Sequence, residues 1–217
     1  MQRWVTFDCY GTLIDWNAGI AAELARIWPT RDTHALVSDF HTLEPLIERD
    51  GTLTYRQVLR RALLAIAAVR DLAIPEGEET ALAESVPRWP PFPEVASAMS
   101  ALRDAGLRLA ILSNTDLDYV QASIARIGVE IDEVVVASAI GSYKPGHRHW
   151  HEFHRISGAG PDDHVHVAAS LFHDIGPCAE LSIPSVWINR LGERSPLPRA
   201  AELPDLTGVA AAVDRLC

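Results

Sequence analysis

The second half of the chain alternates short apolar runs with helical stretches, and this alternation constrains the fold more than any other feature. Four apolar runs, rich in β-branched residues, have the length of buried strands: 107–112, 134–136, 164–168 and 185–188. Helices are predicted after the first three of them, at 118–127, 148–156 and 174–181. The chain ends with residues 203–216, which predict a short turn and a surface helix. Because strands that alternate with helices form a parallel sheet with helices on both faces, we expect an α/β core.

A helical segment is predicted between the first strand and this alternation. Residues 4–7 predict the first strand, and residues 16–89 then place apolar side chains at helical spacing. In one of these helices the face predicted to be buried consists of three residues: Leu43, Leu46 and Ile47. Four prolines between residues 87 and 93 end the segment, since proline fits neither a helix interior nor a central strand. We predict a core of residues 1–15 and 90–217 and a helical cap of residues 16–89.

Polar side chains follow four of the predicted strands at the point where each strand ends. In chain order they are Asp8, Ser113 and Asn114, Lys144, and Ser170 with Asp174. Since the carboxyl ends of parallel strands meet at one edge of a sheet, these groups are expected to converge. Asp8 is followed by Gly11, which lets the chain turn sharply away. A carboxylate in this place can act as a nucleophile and form an ester that water later splits.

These motifs, in this order, resemble those of the haloacid dehalogenase superfamily of hydrolases. The matching segments are Phe7-Asp8-Cys9-Tyr10-Gly11-Thr12-Leu13, Leu112-Ser113-Asn114, Tyr143-Lys144-Pro145 and Ser170-Leu171-Phe172-His173-Asp174. The resemblance spans the whole chain and includes a helical cap after the first motif. Within the superfamily, Trp187-Ile188-Asn189-Arg190 is similar to the 2-haloacid dehalogenase branch. The resemblance implies a Rossmann-like parallel-sheet core with an inserted helical cap, and hydrolysis of small 2-haloalkanoic acids to 2-hydroxy acids.

The resemblance also implies a role for each site residue. Asp8 would displace the leaving group and become an ester, and water activated near Asp174 would attack the ester carbonyl. Lys144 would neutralise Asp8 and place Asp174, with Ser170 as a fourth member of the catalytic group. The remaining candidates are predicted to bind the substrate: Tyr10, Thr12, Ser113, Asn114, His41 and His173.

Two positions argue against the metal-dependent phosphatases of the superfamily. Those enzymes usually carry a second Asp two residues after the nucleophile, which protonates the leaving alcohol, and this chain has Tyr10 there. Ser170 replaces the first acid of the last motif, so that only Asp8 and Asp174 remain as oxygen ligands for a hard cation. A halide leaves as an anion and needs neither group. We therefore expect no metal and no cofactor, with Mg²⁺ required only if the chain is a phosphatase.

The early cap departs from the dehalogenase pattern. An Arg that faces the departing halide is common there, whereas this chain has Asp39-Phe40-His41-Thr42, which leaves His41 as the nearest candidate cation. Leu171 stands where that branch often has Asn. A pocket without the Arg also suits a non-halide leaving group, such as the amine of a strained cyclic amino acid. That amine would need a proton, from His41 or His173.

Simpler alternatives exist for several of these residues. Asp174 could only cap a helix, and Ser170 could be a buried hydroxyl without a function. A catalytically silent ligand-binding protein could keep the fold, although it would not require Asp8, Lys144 and Asp174 together. A run of histidines is expected to form a solvated helix face rather than a metal site: His147, His149, His151 and His154.

Composition narrows the choice of partners. The chain has 19 basic and 29 acidic residues and a net charge of −10, which argues against nucleic acid. No apolar run reaches the roughly 18 residues of a membrane span, and the N-terminus lacks the pattern of a signal peptide. The cysteines at 9, 178 and 217 favour a reducing compartment, so that a cytoplasmic protein is expected. The expected partner is a small-molecule carboxylate, and the resemblance suggests a homodimer.

Overall fold

Six parallel strands form one sheet in the computed structural model, which describes residues 3–49 and 51–216. The strands are β1 (Trp4–Phe7), β2 (Arg108–Ser113), β3 (Glu133–Val136), β4 (His164–Ala168), β5 (Ser185–Ile188) and β6 (Ala201–Leu203). Their order is β3-β2-β1-β4-β5-β6, and every neighbouring pair is parallel. The order reverses between β1 and β4, and open α/β sheets bind ligands beyond the strand ends at such a switch point. The expected Rossmann-like α/β core is confirmed.

The predicted strands match the observed ones to within one residue, but the sixth strand was not predicted. β6 has three residues, and Glu202 in its middle interrupts the apolar run by which a buried strand is identified. This edge strand is held by pairing with β5, where Leu203 lies opposite Ile188. The predicted short turn and surface helix are confirmed: a 3₁₀ turn at Leu206–Gly208 precedes a helix at Val209–Asp214, which buries Val209 and Val213 and leaves its other face exposed.

The α-helices of the described residues fall into two groups. Four of them follow β1 and together form the helical segment: α1 (Trp16–Ile27), α2 (Thr33–Glu48), α3 (Tyr55–Arg70) and α4 (Ala81–Ser85). The others accompany the later strands: α5 (Val95–Asp104), α6 (Leu117–Ile127), α7 (Ala137–Ile140), α8 (Arg148–Ser157), α9 (Gly176–Glu180) and α10 (Val209–Asp214). Side chains of Asp15, Asp32 and Thr54 cap the first three helices. Within the described ranges, no helix combines the length and apolar character needed to cross a membrane.

The helical segment is joined to the sheet by its connections and by a carboxylate. Where the chain leaves and returns, the Asp15 N–H donates to the Pro90 carbonyl at 2.8 Å. Beyond β2, the Asp116 carboxylate accepts from the backbone N–H groups of Tyr55 at 3.1 Å and of Arg56 at 2.9 Å. Since N–H groups in the first turn of a helix lack partners within it, this carboxylate fixes the start of α3 at the carboxyl end of β2.

The predicted buried face of α2 was wrong at Leu46, which is 54% exposed. Leu43 and Ile47 are half-buried and pack against the core. The buried residues of the helix instead follow a spacing of four: Leu36, Phe40, Glu44 and Glu48. This stripe changes from apolar to acidic towards the end of the helix, where it meets polar side chains at the strand ends. The two acids therefore belong to the site and not to the core.

Candidate active site

A cavity of about 220 Å³ lies between the carboxyl edge of the sheet and the helices α2 and α3. Most of the residues predicted to form the site line it: Asp8, Tyr10, Ser113, Asn114, Lys144, Ser170, His173 and Asp174. The helical segment supplies further lining residues: Trp16, Glu44, Pro45, Glu48 and Tyr55. Thr12 and His41, which were predicted to bind substrate, are not among the lining residues.

Asp8 lies one residue beyond β1, and its backbone N–H donates to the Val167 carbonyl of β4 at 3.1 Å. Gly11 then turns the chain with a φ of 87°, a region that favours glycine. This turn brings back Thr12, whose hydroxyl donates to Asp8 Oδ2 at 2.8 Å and accepts from the Ala169 N–H at 2.9 Å. Because Thr12 is fully buried behind the carboxylate, it orients Asp8 and does not reach a substrate, which corrects its predicted role.

Lys144 joins the two carboxylates of the site. Its Nζ donates to Asp8 Oδ1 at 2.8 Å, to Asp174 Oδ1 at 2.7 Å and to the Leu112 carbonyl at 2.9 Å, which uses all three N–H groups. Burial opposes the charge, but Asp174 and Asp8 outweigh it and raise the pKa of Lys144. Asn114 clamps the lysine backbone, accepting from its N–H at 2.6 Å and donating to its carbonyl at 3.0 Å. Asn114 therefore positions Lys144 in addition to lining the cavity.

Asp174 is fully buried and has one engaged and one unengaged oxygen. Its Oδ1 accepts from Lys144 and lies 3.0 Å from Nε2 of His166, a residue that the sequence did not suggest for the site. Its Oδ2 has no hydrogen-bond partner among the described residues. Burial favours the neutral acid, but Lys144 and His166 outweigh it and hold the pKa of Asp174 well below its usual range. Asp174 is thus an ionised acceptor beside the cavity.

A turn of π-helix over Leu171–Ile175 carries Asp174 into the site, in place of the predicted start of an α-helix. Ser170, and not Asp174, caps this turn, because its Oγ accepts from the His173 N–H at 3.0 Å. The same Oγ lies 3.2 Å from Nδ1 of His173. Ser170 therefore holds His173 in place, and the simpler expectation that Asp174 acts only as a helix cap was wrong. Single π-helical turns often occur at functional sites.

The depressed pKa of Asp174 predicts a pH-dependent stability. In the unfolded chain an Asp titrates near about 3.9, so acid protonates the unfolded state first and the folded state loses stability as the pH falls. Asp174→Asn should flatten this decline below about pH 5. Urea unfolding at several pH values measures it, with Asp104→Asn at an exposed position as control. An unchanged slope in Asp174→Asn would contradict the pairing with Lys144.

Two acids of α2 form the opposite wall of the cavity, and the sequence prediction missed both. Glu48 Oε1 accepts from Asn114 Nδ2 at 3.2 Å, and its Oε2 lies 3.5 Å from His173 Nε2. Burial and the charge of Glu48 raise the pKa of Glu44 to about 8, although His173 opposes the shift. Burial lowers the pKa of His173, but the contact with Glu48 outweighs it and raises the pKa. The four-residue spacing with Phe40 was the signal that could have identified these acids.

His41 is not brought to the cavity. Phe40 takes the inward position of α2 with no exposure, and the next residue of a helix points about 100° away. The His41 ring packs against Trp16 with ring centres 5.0 Å apart, and its Nε2 lies 2.7 Å from Asn17 Oδ1. Burial lowers its pKa. The predicted early-cap cation is therefore absent from the lining residues of the cavity.

The expected solvated face of histidines at α8 is found only in part: His151 is exposed and His147 and His154 are half-buried, but the fourth histidine is not solvated. His149 is fully buried, its Nε2 lies 3.2 Å from the Ser113 carbonyl, and burial lowers its pKa to about 3. Nε2 of His154 lies 3.0 Å from Nε2 of His164, and Nε2 of His147 lies 2.9 Å from Oε2 of Glu180. Within residues 3–49 and 51–216, no three His, Cys, Asp or Glu side chains are grouped to hold a metal ion.

Comparison with known proteins shows which family and which structures this chain resembles. A family model for haloacid dehalogenase-like hydrolases matches residues 2–169. Haloacetate dehalogenase H-2 of Moraxella sp. (strain B) is 25% identical over 200 residues, covering 87% of this chain and 86% of that protein. The (S)-2-haloacid dehalogenase of Pseudomonas sp. (strain YL) is 24% identical over 200 residues, with 87% and 83% covered. The L-2-haloacid dehalogenase of Xanthobacter autotrophicus, solved with chloropropionic acid covalently bound, shares the fold with a TM-score of 0.87, at 22% identity and 100% coverage of both chains.

Proposed function

The chain belongs to the haloacid dehalogenase-like hydrolases, and from that premise we propose that it hydrolyses small 2-haloalkanoic acids to 2-hydroxy acids through an ester on Asp8. The observation that carries the proposal is the buried Lys144 between Asp8 and Asp174. It leaves Asp8 as a carboxylate facing the cavity and Asp174 as an acceptor beside it. The names of the Moraxella and Pseudomonas relatives, and the covalent chloropropionic acid in the Xanthobacter structure, support the same chemistry.

In the first step, Asp8 displaces the halide. Each Asp8 oxygen accepts one hydrogen bond, from Lys144 or from Thr12, and retains acceptor capacity for attack. One oxygen forms a bond to the carbon that carries the halogen, and the halide leaves with the electron pair of the broken bond. No proton is needed, and the configuration at the reacting carbon inverts because a single displacement occurs there.

In the second step, water splits the ester at Asp8. Oδ2 of Asp174 takes a proton from water while the water oxygen attacks Cγ of Asp8. Lys144 Nζ, which donates to Asp8 Oδ1, stabilises the negative charge that develops on the carbonyl oxygen. The Cγ–O bond to the substrate then breaks, the leaving alkoxide takes the second proton of the water from the new carboxyl group of Asp8, and the 2-hydroxy acid leaves with the oxygen that Asp8 contributed. Asp174 returns the proton to solvent before the next turnover.

We propose that this chemistry needs no metal, and the donor set supports it. Lys144 Nζ already bonds one oxygen of each of the two carboxylates, which leaves only the second oxygen of Asp8 and of Asp174 to meet a cation. The Ser170 hydroxyl is used as a cap, and the Tyr10 hydroxyl lies 3.2 Å from Ser123 Oγ. These residues do not fit the oxygen-rich octahedral site that Mg²⁺ prefers.

Halide release in the presence of EDTA tests the proposal. The substrates are chloroacetate, fluoroacetate and both enantiomers of 2-chloropropionate, and one enantiomer is expected to be strongly preferred. EDTA should leave the rate unchanged. No halide from any of them, together with Mg²⁺-dependent release of phosphate from small phosphate esters, would replace the proposal with the phosphatase alternative.

The acids Glu44 and Glu48 favour a second candidate, the opening of a strained cyclic amino acid. Glu44 is 5% exposed and, with a pKa of about 8, keeps its proton at neutral pH. Across the cavity from Asp8, such an acid repels no anion and can donate to a leaving group. Asp8 would attack a ring carbon, the carbon–nitrogen bond would break, and the nitrogen would take the proton of Glu44. The negative Glu48 beside it suits an ammonium group better than a halide.

Replacing Glu44 with Gln separates the two candidates. With azetidine-2-carboxylate or aziridine-2-carboxylate as substrate, Glu44→Gln should lower the ring-opening rate by about 10²-fold or more, the usual worth of a general acid. Halide release should persist in the same variant, because halide departure needs no proton. Glu76→Gln at an exposed position is the matched control. The absence of a ring-opened product with the wild-type enzyme would discard this candidate.

Assembly, domain division and location are also proposals. We infer a core of residues 1–15 and 90–217 and a cap of residues 16–89, since the regular elements among the described residues from α1 to Arg88 are all helices. The family resemblance suggests a homodimer, which light scattering would test. Cys9 and Cys178 are free and buried, which suits a cytoplasmic enzyme.

A further inference from the structure

Behind Asp174, a continuous series of hydrogen-bonded polar side chains runs along one face of the sheet. Oδ1 of Asp174 lies 3.0 Å from Nε2 of His166, and Nδ1 of His166 lies 2.8 Å from Oγ1 of Thr6. The same Oγ1 lies 3.1 Å from Nδ1 of His164. Nε2 of His164 lies 3.0 Å from Nε2 of His154, which is half-buried on α8. The series of contacts thus runs from the cavity wall to α8.

The strand register places these groups side by side. Thr6 of β1 lies opposite His166 of β4, and Trp4 lies opposite His164, so that both histidines share one face of the sheet. Thr6 and His166 have no exposure, and His164 has 1%. Burying three polar side chains in a central strand pair is costly unless each is hydrogen-bonded. Each of these three side chains is hydrogen-bonded, and the series of hydrogen bonds ends on the carboxylate of Asp174.

The hydrogen bond between His166 and Asp174 has a defined direction. An ionised carboxylate only accepts, so His166 carries a proton on Nε2 and donates to Asp174. The other ring nitrogen, Nδ1, lies 2.8 Å from Oγ1 of Thr6. A partner on one ring nitrogen orients the imidazole for the contact at the other. Thr6 thus holds His166 as a donor to Asp174.

We propose that His166 is a positioning residue for Asp174 in the hydrolysis of the ester, and that Thr6 acts by holding His166 through the contact with its Nδ1. Together with Lys144, His166 holds Oδ1 of Asp174 and leaves Oδ2 to take the proton of water, whose oxygen bonds to Cγ of Asp8 as the ester bond breaks. This inference rests on the proposed ester mechanism. It also implies that loss of His166 slows only the second step, because displacement of the halide does not use Asp174.

Rapid-quench kinetics with the preferred enantiomer of 2-chloropropionate test this role. His166→Phe and the isosteric Thr6→Val should still release one chloride per active site in a fast burst, followed by a steady rate about 10- to 100-fold below that of the wild type, the cost typical of a lost supporting hydrogen bond. Mass spectrometry should find the ester accumulated on the peptide that contains Asp8. His166→Gln, which can still donate through its amide, should recover part of the steady rate. His34→Phe at an exposed position is the matched control.

The outcomes of these kinetic experiments separate the role of His166 from the proposed function. Equal burst and steady rates in Thr6→Val, His166→Phe and the wild type, without accumulated ester, would overturn the role of His166 and leave the proposed function standing. If His166→Phe does not fold, Thr6→Val and His166→Gln provide the same comparison. A wild-type enzyme that turns over chloropropionate in ¹⁸O-labelled water without taking label into Asp8 would overturn both the inference and the proposed mechanism.

Discussion

Asp8→Asn is expected to lower hydrolysis by at least about 10⁴-fold, the order of loss when a catalytic nucleophile is removed. An amide oxygen is a far weaker nucleophile than a carboxylate, so the ester cannot form at a useful rate. The side chain keeps its size and its contact with the Thr12 hydroxyl. Lys144 retains Asp174 and the Leu112 carbonyl as partners, so folding should be preserved. Halide release over long incubations, with thermal unfolding in parallel, measures both effects.

Asp71→Asn provides the control for this substitution. Asp71 ends α3 in the left-handed conformation, with a φ of 50°, and Asn adopts that conformation readily. The control should therefore match the wild type in rate and in unfolding temperature. An Asp8→Asn enzyme that kept more than about a hundredth of the wild-type rate would contradict the role of Asp8 as nucleophile.

Lys144→Met is expected to have the second-largest effect, on stability and activity together. Met fills a similar volume but leaves two carboxylates facing each other without a cation, and Asp174 has no exposure. Breaking a buried ion pair by removing one partner typically costs about 3–5 kcal/mol. The rate should also fall by about 10²–10³-fold, because the developing charge on the ester carbonyl loses its donor.

Urea unfolding and halide release measure the two effects of Lys144→Met. Arg126→Met, at an exposed position of α6, is the control for loss of a positive charge, and it should change neither quantity much. An acidic buffer should partly restore the stability of Lys144→Met, since protonation of either carboxyl relieves the repulsion. A variant as stable as the wild type at neutral pH would contradict the ion pair at the centre of the site.

The sheet could be predicted well from the sequence because each strand is specified by its own short run of residues. Each strand from β1 to β5 is a short apolar run, and each polar group that follows a strand is displaced to the same edge by the parallel arrangement. Asp8, Lys144 and Asp174 could be placed in one site on this basis. Lys144 is also the only lysine of the chain, which is a further indication of a specific role that the prediction did not use.

The remainder of the site depends on how elements pack, which no local pattern specifies. Glu44 and Glu48 face Asp8 only because α2 turns its four-residue stripe towards the sheet, and this rotation also takes His41 away. His166 lies within an apolar strand, and its role is apparent only from its register with Thr6. Thr12 was expected to meet a substrate, but the tight turn at Gly11 folds it behind Asp8.

A single turnover in ¹⁸O-labelled water tests the ester on Asp8 most directly. With enzyme in excess over chloroacetate, the hydroxyl oxygen of the glycolate should come from Asp8 and carry no label. One ¹⁸O atom should appear in the peptide that contains Asp8, because water attacks its Cγ. Labelled glycolate from that first turnover, with no label in the peptide, would mean that water attacks the substrate carbon directly and would contradict the ester mechanism.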